Sequence, residues 1–310
     1  YGKFDLVIVD EVSKATPPEL LLPALLGEKI VLVGDDRQLP SMIGPDTLEE
    51  LAKELDENKE NLSHLERSLY ADLWAMAPDE LKAMLTVQYR MHPSIMRVIN
   101  QFYDDQLQCG LENPDQTRAH GLEGLYFDRS IHTVWFDLPR SDEFEEKRAP
   151  NRSYYNEKEI FVIEKLLEHF DQLWQAQVAK GMPRKEIGVI TFYAAQAKKM
   201  EQSFFDANGE GKFANLDLRI GTVDRFQGME RPVVIVSMVR NNQKGNIGFA
   251  AKPERINVAF SRAQELLVIV GCAQLFCGES TSQAMQIYQN VEEVIRREGK
   301  LGNVWEILKG

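Results

Sequence analysis

Residues 4 to 16, "FDLVIVDEVSKAT", form a run of apolar side chains that ends at two adjacent carboxylates, Asp10 and Glu11. The run has no polar alternation, which favours a strand buried on both faces of a parallel sheet. In an open α/β sheet, ligands bind at the carboxyl ends of the strands, so side chains directly after the run face a binding site. The stretch therefore predicts both a parallel sheet and a site at its edge.

Four further apolar runs repeat this pattern along the chain. They are "IVLV" at 30–33, "IGVIT" at 187–191, "VVIVSMV" at 233–239 and "LLVIV" at 266–270. Helical patterns lie between them, such as "NEKEIFVIEKLLEHF", which begins at the capping residue Asn156 and places Glu159 three positions later. The alternation predicts an α/β fold built on open, doubly wound parallel sheets.

A Gly-rich, polar stretch at 106–130 predicts a connection between two domains. We therefore expect the carboxyl-terminal part of a first domain at 1–105, a second domain at 131–275 and a helical tail at 276–310. Within the first domain, residues 44–82 are expected to be largely helical.

The composition is that of a soluble globular chain. The 310 residues are 44% hydrophobic, and no stretch approaches the roughly 20 apolar residues that span a bilayer. Without a signal peptide at the first residues, a cytoplasmic location and no membrane partner are expected. The three cysteines lack the paired spacing of a zinc site or a disulfide framework.

The charge is unevenly distributed along the chain. The net charge is −12, yet residues 180–262 carry 14 basic and 8 acidic side chains. A basic segment inside an acidic chain is compatible with a nucleic-acid partner, since phosphate binding needs clustered Lys and Arg. It is equally compatible with an ordinary solvated surface.

The carboxylates that follow the strands suit nucleoside triphosphate chemistry. Asp10 could hold the water shell of Mg²⁺ while Glu11 orients or deprotonates the attacking water. The run "KIVLVGDDRQLP" repeats the arrangement, and the amide of Gln38 could sense a terminal phosphate. Strand-end Asp residues also cap the following helix, and "GDDR" is also a plausible surface turn.

Other strings supply groups for bases and phosphates. In "VQYRMHP", Tyr89 offers a flat face and Arg90 a planar fork. In "IGTVDRFQGMERP", Gly228 allows a loop that carries Thr222 and Glu230 to approach a ligand closely. Surface ion pairs are the common alternative for such arginines.

Together these strings resemble superfamily 1 helicases, in the branch of the nonsense-mediated-decay RNA helicase and its DNA-processing relatives. The match is ordered along residues 5–271: "VIVDEVSKAT" resembles motif II, "LVGDDRQLP" motif III, "QYRMHP" motif IV, "IGTVDRFQGMERP" motif V and "NVAFSRA" motif VI. "IGVITFYAAQ" resembles the strand and turn that open the nucleic-acid surface of the second domain. The resemblance implies two RecA-like P-loop NTPase domains, of which this chain carries an incomplete first one.

The resemblance also implies a role for individual residues. Asp10 coordinates Mg²⁺ through water, Glu11 is the catalytic base, and Gln38, Arg90 and Arg262 act on the γ-phosphate. For the remaining positions the implied roles are base stacking by Tyr89, ribose contact by Glu230, close backbone approach at Gly228, and nucleic-acid contact by Thr222, Tyr193 and Gln196.

The expected function is an ATP-dependent helicase or translocase on single-stranded DNA or RNA, with ATP and Mg²⁺ used between the two domains. No G-x-x-x-x-G-K-[ST] phosphate loop occurs, and "GEGKF" at 209–213 lacks its first Gly and its Ser or Thr. The resemblance therefore implies an upstream part of the same polypeptide that supplies this loop, and inactivity without it. The alternative is a non-catalytic binding or scaffolding module.

Overall fold

The computed structural model describes residues 3–40, 68–278 and 282–308. The chain divides into two compact units, residues 1–85 and 86–310. Residues 86–105 thus pack with the second unit rather than the first, whereas the domain limits expected from the sequence remain a prediction. No helix within the described ranges combines the length and apolar composition that a membrane span requires.

The first unit contains the opening strand and its neighbour. β1 (Val7–Val9) pairs in parallel with β2 (Ile30–Leu32), and helix Pro17–Ala24 connects them. The Glu19 carboxylate accepts the backbone N–H of Thr16 at 2.9 Å, which caps the start of that helix. Of the stretch expected to be helical, helix Leu69–Met76 is present and residues 44–67 lie outside the described residues.

The second unit is built on a six-stranded parallel sheet. The strands are β5 (Thr133–Asp137), β8 (Lys185–Thr191), β9 (Leu216–Thr222), β10 (Arg231–Ser237), β11 (Ala263–Gly271) and β12 (Lys300–Asn303). Their order across the sheet is β12-β5-β11-β10-β8-β9. Two short pairs accompany the sheet: β3 (Val87–Gln88) with β4 (Gln108–Cys109), and β6 (Lys147–Arg148) with β7 (Tyr154–Tyr155).

Helices connect and cover these strands. In chain order they are Pro93–Asn100, Pro114–Thr117, Glu157–Val178, Ala194–Phe204, Val223–Phe226, Pro253–Ser261, Ala273–Phe276, Gln283–Glu298 and Val304–Leu308. The apolar core lies between the sheet and helices Glu157–Val178 and Ala194–Phe204, where Leu166, Phe170 and Met200 are fully buried.

The structure confirms the α/β class and the parallel strands expected from the apolar runs. Burial on both faces holds for β10, whose residues Val233–Ser237 have no exposed surface. It does not hold for the described residues of the first unit, in which 63% of the surface of Ile8 and 39% of the surface of Ile30 are exposed. The tail is not wholly helical, because β12 continues the sheet by pairing with β5.

The start of helix Glu157–Val178 ties several elements together. The Asn156 side chain accepts the N–H groups of Lys158 and Glu159 and donates to the Phe144 carbonyl at 2.9 Å. The cap is therefore confirmed, but Glu159 does not complete a capping box, because its carboxyl group is buried and bonded elsewhere.

We expect Asn156→Ala to lower the free energy of unfolding by about 2 kcal/mol, since a helix cap and a buried partner of Phe144 are lost together. Urea denaturation followed by circular dichroism measures the change. Asn151→Ala, which removes an exposed turn residue that accepts from Ser153 N–H, is the matched control. Equal stability of the two variants would contradict the role assigned to Asn156.

Candidate functional site

The carboxylates after β1 stand at the edge of the first unit's sheet. Asp10 is exposed, and its Oδ1 accepts the N–H of Glu11 at 2.7 Å. Glu11 has a φ of 55°, in the left-handed region that non-glycine residues seldom occupy. Such conformations cost energy and are concentrated at functional sites. The two side chains expected to perform chemistry thus follow directly from β1, and one of them is held in a strained backbone.

The loop after β2 is fastened next to these carboxylates. Ser13 Oγ accepts the N–H of Asp35 at 2.7 Å, and a Cβ on Gly34 would stand 3.1 Å from the Ser13 backbone nitrogen. Only glycine allows so close an approach without displacement. Gln38 Nε2 donates to Asp35 Oδ2 at 2.7 Å. The structure therefore brings the motif II and motif III residues to one edge of the first unit.

Tyr89 and Arg90 are positioned by residues of the segment expected to be a connection. The Arg118 guanidinium donates to the Arg90 carbonyl at 2.6 Å and to the Tyr89 carbonyl at 2.8 Å. A Cβ on Gly110 would lie 2.5 Å from the Tyr89 ring, so glycine leaves space for that ring. The Tyr89 side chain is 64% exposed. The ring is therefore a flat and largely exposed surface.

Glu230 lies near the two arginines, Arg90 and Arg262, that the resemblance assigns to the γ-phosphate. Its Oε1 lies 3.2 Å from Arg90 Nε, and its Oε2 accepts from Gln264 Nε2 at 2.7 Å. Arg262 is nearly buried, and its guanidinium donates to the Val258 carbonyl at 3.2 Å. The backbone N–H of Arg231, which follows Glu230, donates to the Arg262 carbonyl. Arg90, Glu230 and Arg262 therefore share one region.

The loop after β9 carries the two remaining motif V residues. Thr222 ends β9 and is half-buried. Gly228 is exposed and has a φ of 81°, which is the left-handed conformation that glycine adopts without penalty. A side chain at this position would be strained whatever space surrounds it.

Tyr193 and Gln196, which the resemblance assigns to nucleic acid, are buried. Gln196 has no exposed surface, and its side chain accepts from Asn156 N–H and donates to Ser237 Oγ. Tyr193 is 2% exposed, and its hydroxyl accepts the N–H of Phe249 at 3.1 Å. In this arrangement neither side chain is exposed for direct contact with a ligand.

Glu159 is the buried centre of this polar network. Its Oε2 accepts from Ser237 Oγ at 2.6 Å and from Val239 N–H at 2.9 Å. Val239 has a φ of 68°, a rare conformation for a β-branched residue. Burial raises the pKa of the Glu159 carboxyl group to about 8, although the hydrogen bonds from Ser237 and Val239 act in the opposite direction.

One group of potential metal ligands occurs among residues 3–40, 68–278 and 282–308: His92, Asp115 and His132. The two imidazole rings stack with centroids 3.4 Å apart and planes 13° from parallel. A metal ion lies in the plane of each imidazole that binds it, and the planes of two rings stacked face to face do not meet within bonding distance of either ring. His92 Nε2 lies 3.0 Å from Asp115 Oδ1, so we describe the group as a packing contact of helix Pro114–Thr117 with the residues that precede helix Pro93–Asn100 and β5.

A family profile described as "AAA domain" matches residues 65–274, and a second profile with the same description matches residues 1–44. The chain belongs to the superfamily 1 helicases. Its branch is that of the nonsense-mediated-decay helicase, as the ordered motifs indicated. Residues 45–64, which follow motif III, lie between the two matched ranges.

Curated relatives agree with this assignment. The helicase chain is 31% identical over 296 residues to the "DNA polymerase alpha-associated DNA helicase A" of Saccharomyces cerevisiae, which covers 89% of the chain and 39% of the relative. It is 31% identical over 277 residues to a "Regulator of nonsense transcripts 1 homolog" of Neurospora crassa, covering 89% of the chain and 23% of the relative. The chain thus spans well under half the length of these relatives.

Among solved structures, the chain can be aligned with the complex of "Arterivirus nonstructural protein 10 (helicase) with DNA". The similarity has a TM-score of 0.40 at 13% identity, and it covers 93% of the helicase chain and 44% of that structure.

Sequence reasoning missed Arg118, Phe249 and the burial of Glu159. Arg118 lies in a polar stretch without periodicity, so its bonds to Tyr89 and Arg90 depend on tertiary packing. A signal did exist for Phe249, because an aromatic residue directly after glycine in "GNIGFAA" is unusual for a solvated loop. Glu159 lies three residues after Asn156, where a capping box was the simpler explanation for a glutamate, so its burial was not expected.

The buried Glu159 predicts a defined pH dependence of stability. Folding raises its pKa from 4.5 to about 8, so the folded helicase chain retains a proton that the unfolded chain releases between these values. The free energy of unfolding therefore falls as pH rises through this range, and Glu159→Gln should abolish that fall. Denaturation of both proteins at several pH values measures the difference.

The comparison between variants is needed because His120 also makes stability depend on pH, with the opposite sign. Burial lowers its pKa from 6.5 to about 4, so its stabilising contribution is present above pH 6.5 and is lost as the pH falls towards 4. Glu157→Gln, on the exposed side of the same helix start, is the control. A stability difference between wild type and Glu159→Gln that does not change with pH would contradict the assignment.

Proposed function

We propose that the chain forms part of an ATP-dependent helicase or translocase that acts on single-stranded nucleic acid. The observation that carries the proposal is the strained Glu11, which follows Asp10 at the end of β1 and lies on the same edge as Gln38. Family membership supports ATP-dependent helicase chemistry in general. The roles of individual residues and the single-stranded substrate are our proposal.

Asp10 is the residue that would hold Mg²⁺ through water. Its exposed carboxylate provides the oxygen ligand that this ion prefers, and Oδ1 is oriented by the Glu11 N–H. The bound ion would neutralise charge on the phosphate oxygens. Glu11, whose side chain is largely exposed with Lys14 Nζ 3.7 Å away, would accept the proton of the attacking water. Gln38 would orient that water against the terminal phosphate.

Arg90 and Arg262 would act on the γ-phosphate. Both guanidinium groups already bond to protein oxygens: Arg90 to Glu230 and Arg262 to the Val258 carbonyl. A phosphate would compete with these acceptors, and bidentate Arg–phosphate pairs are among the stronger hydrogen-bonded contacts. Tyr89 would stack on the base, and Glu230 would contact the ribose with Gly228 beside it. We propose that hydrolysis requires the residue sets of both units.

The proposal includes a phosphate loop from an upstream part of the same polypeptide. No G-x-x-x-x-G-K-[ST] string occurs in the 310 residues, and backbone N–H groups of such a loop hold the β- and γ-phosphates in P-loop enzymes. The isolated chain is therefore expected not to hydrolyse ATP. A cytoplasmic location remains a prediction, and the proposal includes both single-stranded DNA and single-stranded RNA as substrates.

The test is ATP hydrolysis by the longest natural polypeptide that contains this chain, measured alone, with single-stranded DNA and with single-stranded RNA. We expect stimulation by at least one polymer, and a loss of about 10²- to 10⁴-fold in kcat for Glu11→Gln because the general base is removed. Glu28→Gln, an exposed glutamate of the same unit, is the matched control and should leave the rate unchanged.

Two outcomes would contradict parts of the proposal. Mg²⁺-dependent hydrolysis by the isolated chain, abolished by Glu11→Gln, would show that no upstream loop is required. Absence of hydrolysis with every polymer, together with salt-sensitive binding of nucleic acid, would favour the non-catalytic binding or scaffolding module.

A further inference from the structure

Phe249 is an exposed aromatic side chain at the carboxyl edge of the six-stranded sheet. It lies on the 3₁₀ turn Gly248–Ala251, which precedes helix Pro253–Ser261, and 53% of its surface is exposed. None of the roles considered above uses it.

The protein fixes the position of Phe249 through Tyr193. The Phe249 N–H donates to the Tyr193 hydroxyl at 3.1 Å, and the two rings lie 5.3 Å apart at an angle of 33°. Gly248 has a φ of 59°, and a Cβ there would overlap the Tyr193 hydroxyl. The backbone is thus pressed against a buried tyrosine. This support holds the Phe249 ring in place before any ligand arrives, which reduces the entropy lost on binding.

An arginine lies next to the ring. The Arg255 guanidinium carbon lies 5.0 Å from the Phe249 ring centroid, and Arg255 Nη2 is 3.3 Å from Asp224 Oδ1. Asp224 follows Thr222 by two residues, so the ring adjoins the loop after β9. Lys252, at the end of the same turn, is exposed. A flat ring next to a cation suits a ligand that combines planar groups with negative charge.

Single-stranded nucleic acid has this chemistry, since each nucleotide pairs one π-face with one phosphate. An apolar peptide would need a groove, whereas Phe249 is a single exposed ring on a turn. The segment 180–262, with 14 basic and 8 acidic residues, adds the electrostatic attraction that phosphates require.

We propose that Phe249 is a stacking platform for a base of single-stranded nucleic acid, and that Tyr193 is the positioning residue that presents it. The inference rests on the proposed function and adds a residue to its substrate site. It also gives buried Tyr193 a role that needs no direct contact with the polymer.

Binding of fluorescently labelled oligo(dT) and oligo(U) to the longest natural polypeptide that contains this chain tests the proposal. Phe249→Ala should weaken binding by about 10-fold, which is within the usual range for loss of one stacked base. It should leave the salt dependence of binding unchanged, because no phosphate contact is removed. The matched control is Phe161→Ala, which removes a part-exposed aromatic ring from helix Glu157–Val178.

A second variant separates stacking from structural damage. Phe249→Trp should bind about as tightly as the wild type, and the added indole fluorescence should be quenched when a base stacks on it. Tyr193→Phe should weaken binding less than Phe249→Ala does, because it removes only the hydroxyl that holds the turn.

The outcomes distinguish the inference from the proposed function. If the wild type binds neither oligonucleotide, the proposed substrate fails and the inference fails with it. If the wild type binds but Phe249→Ala binds equally well, or the Phe249→Trp signal does not change, the inference alone is overturned. An equal loss in Phe161→Ala would also overturn it, because the effect would then not be specific to this ring.

Discussion

The pairing of β10 between β11 and β8 is the constraint on which the second unit depends. Both edges of β10 are occupied by parallel neighbours, with Ile235 opposite Val268 on one side and Val189 on the other. Parallel strands require crossover connections, which place helices over the sheet and exclude water from its centre. Their carboxyl ends then meet at one edge. Ser237, Thr222 and the turn that carries Phe249 occupy this edge for that reason.

Polar groups at this edge are buried away from water and therefore need hydrogen-bond partners within the protein. Glu159 accepts hydrogen bonds from Ser237 and from the strained Val239, and Gln196 links Ser237 to the start of the neighbouring helix. A buried network of this kind is stabilising only when its members find partners, and it then defines one arrangement of the chain. The loop after β10 is thus held in a conformation that its local sequence disfavours. Tyr193 in turn contacts Phe249 and holds its exposed ring in position.

The first unit achieves a similar result by close backbone approach. Gly34 lets the end of β2 lie against Ser13, so the loop bearing Gln38 stands next to the one bearing Asp10 and Glu11. Two short polar segments that are separate in sequence therefore lie next to each other at the edge of the sheet. In both units, a residue to which we assign no contact with substrate, Gly34 or Tyr193, fixes the position of a group to which we assign such a contact.

Local patterns were sufficient for five strands (β1, β2, β8, β10 and β11), the helix capped by Asn156, the positions of Asp10 and Glu11, and the family, because apolar runs, caps and strand-end carboxylates are properties of neighbouring residues. They were not sufficient for the burial of Gln196, the raised pKa of Glu159, the bonds from Arg118 to Tyr89 and Arg90, or the strand at Lys300–Asn303. Each of these depends on contacts between residues far apart in the chain. Burial, and with it the free energy of a charge or hydrogen bond, is set by the surrounding packing, which no local stretch encodes.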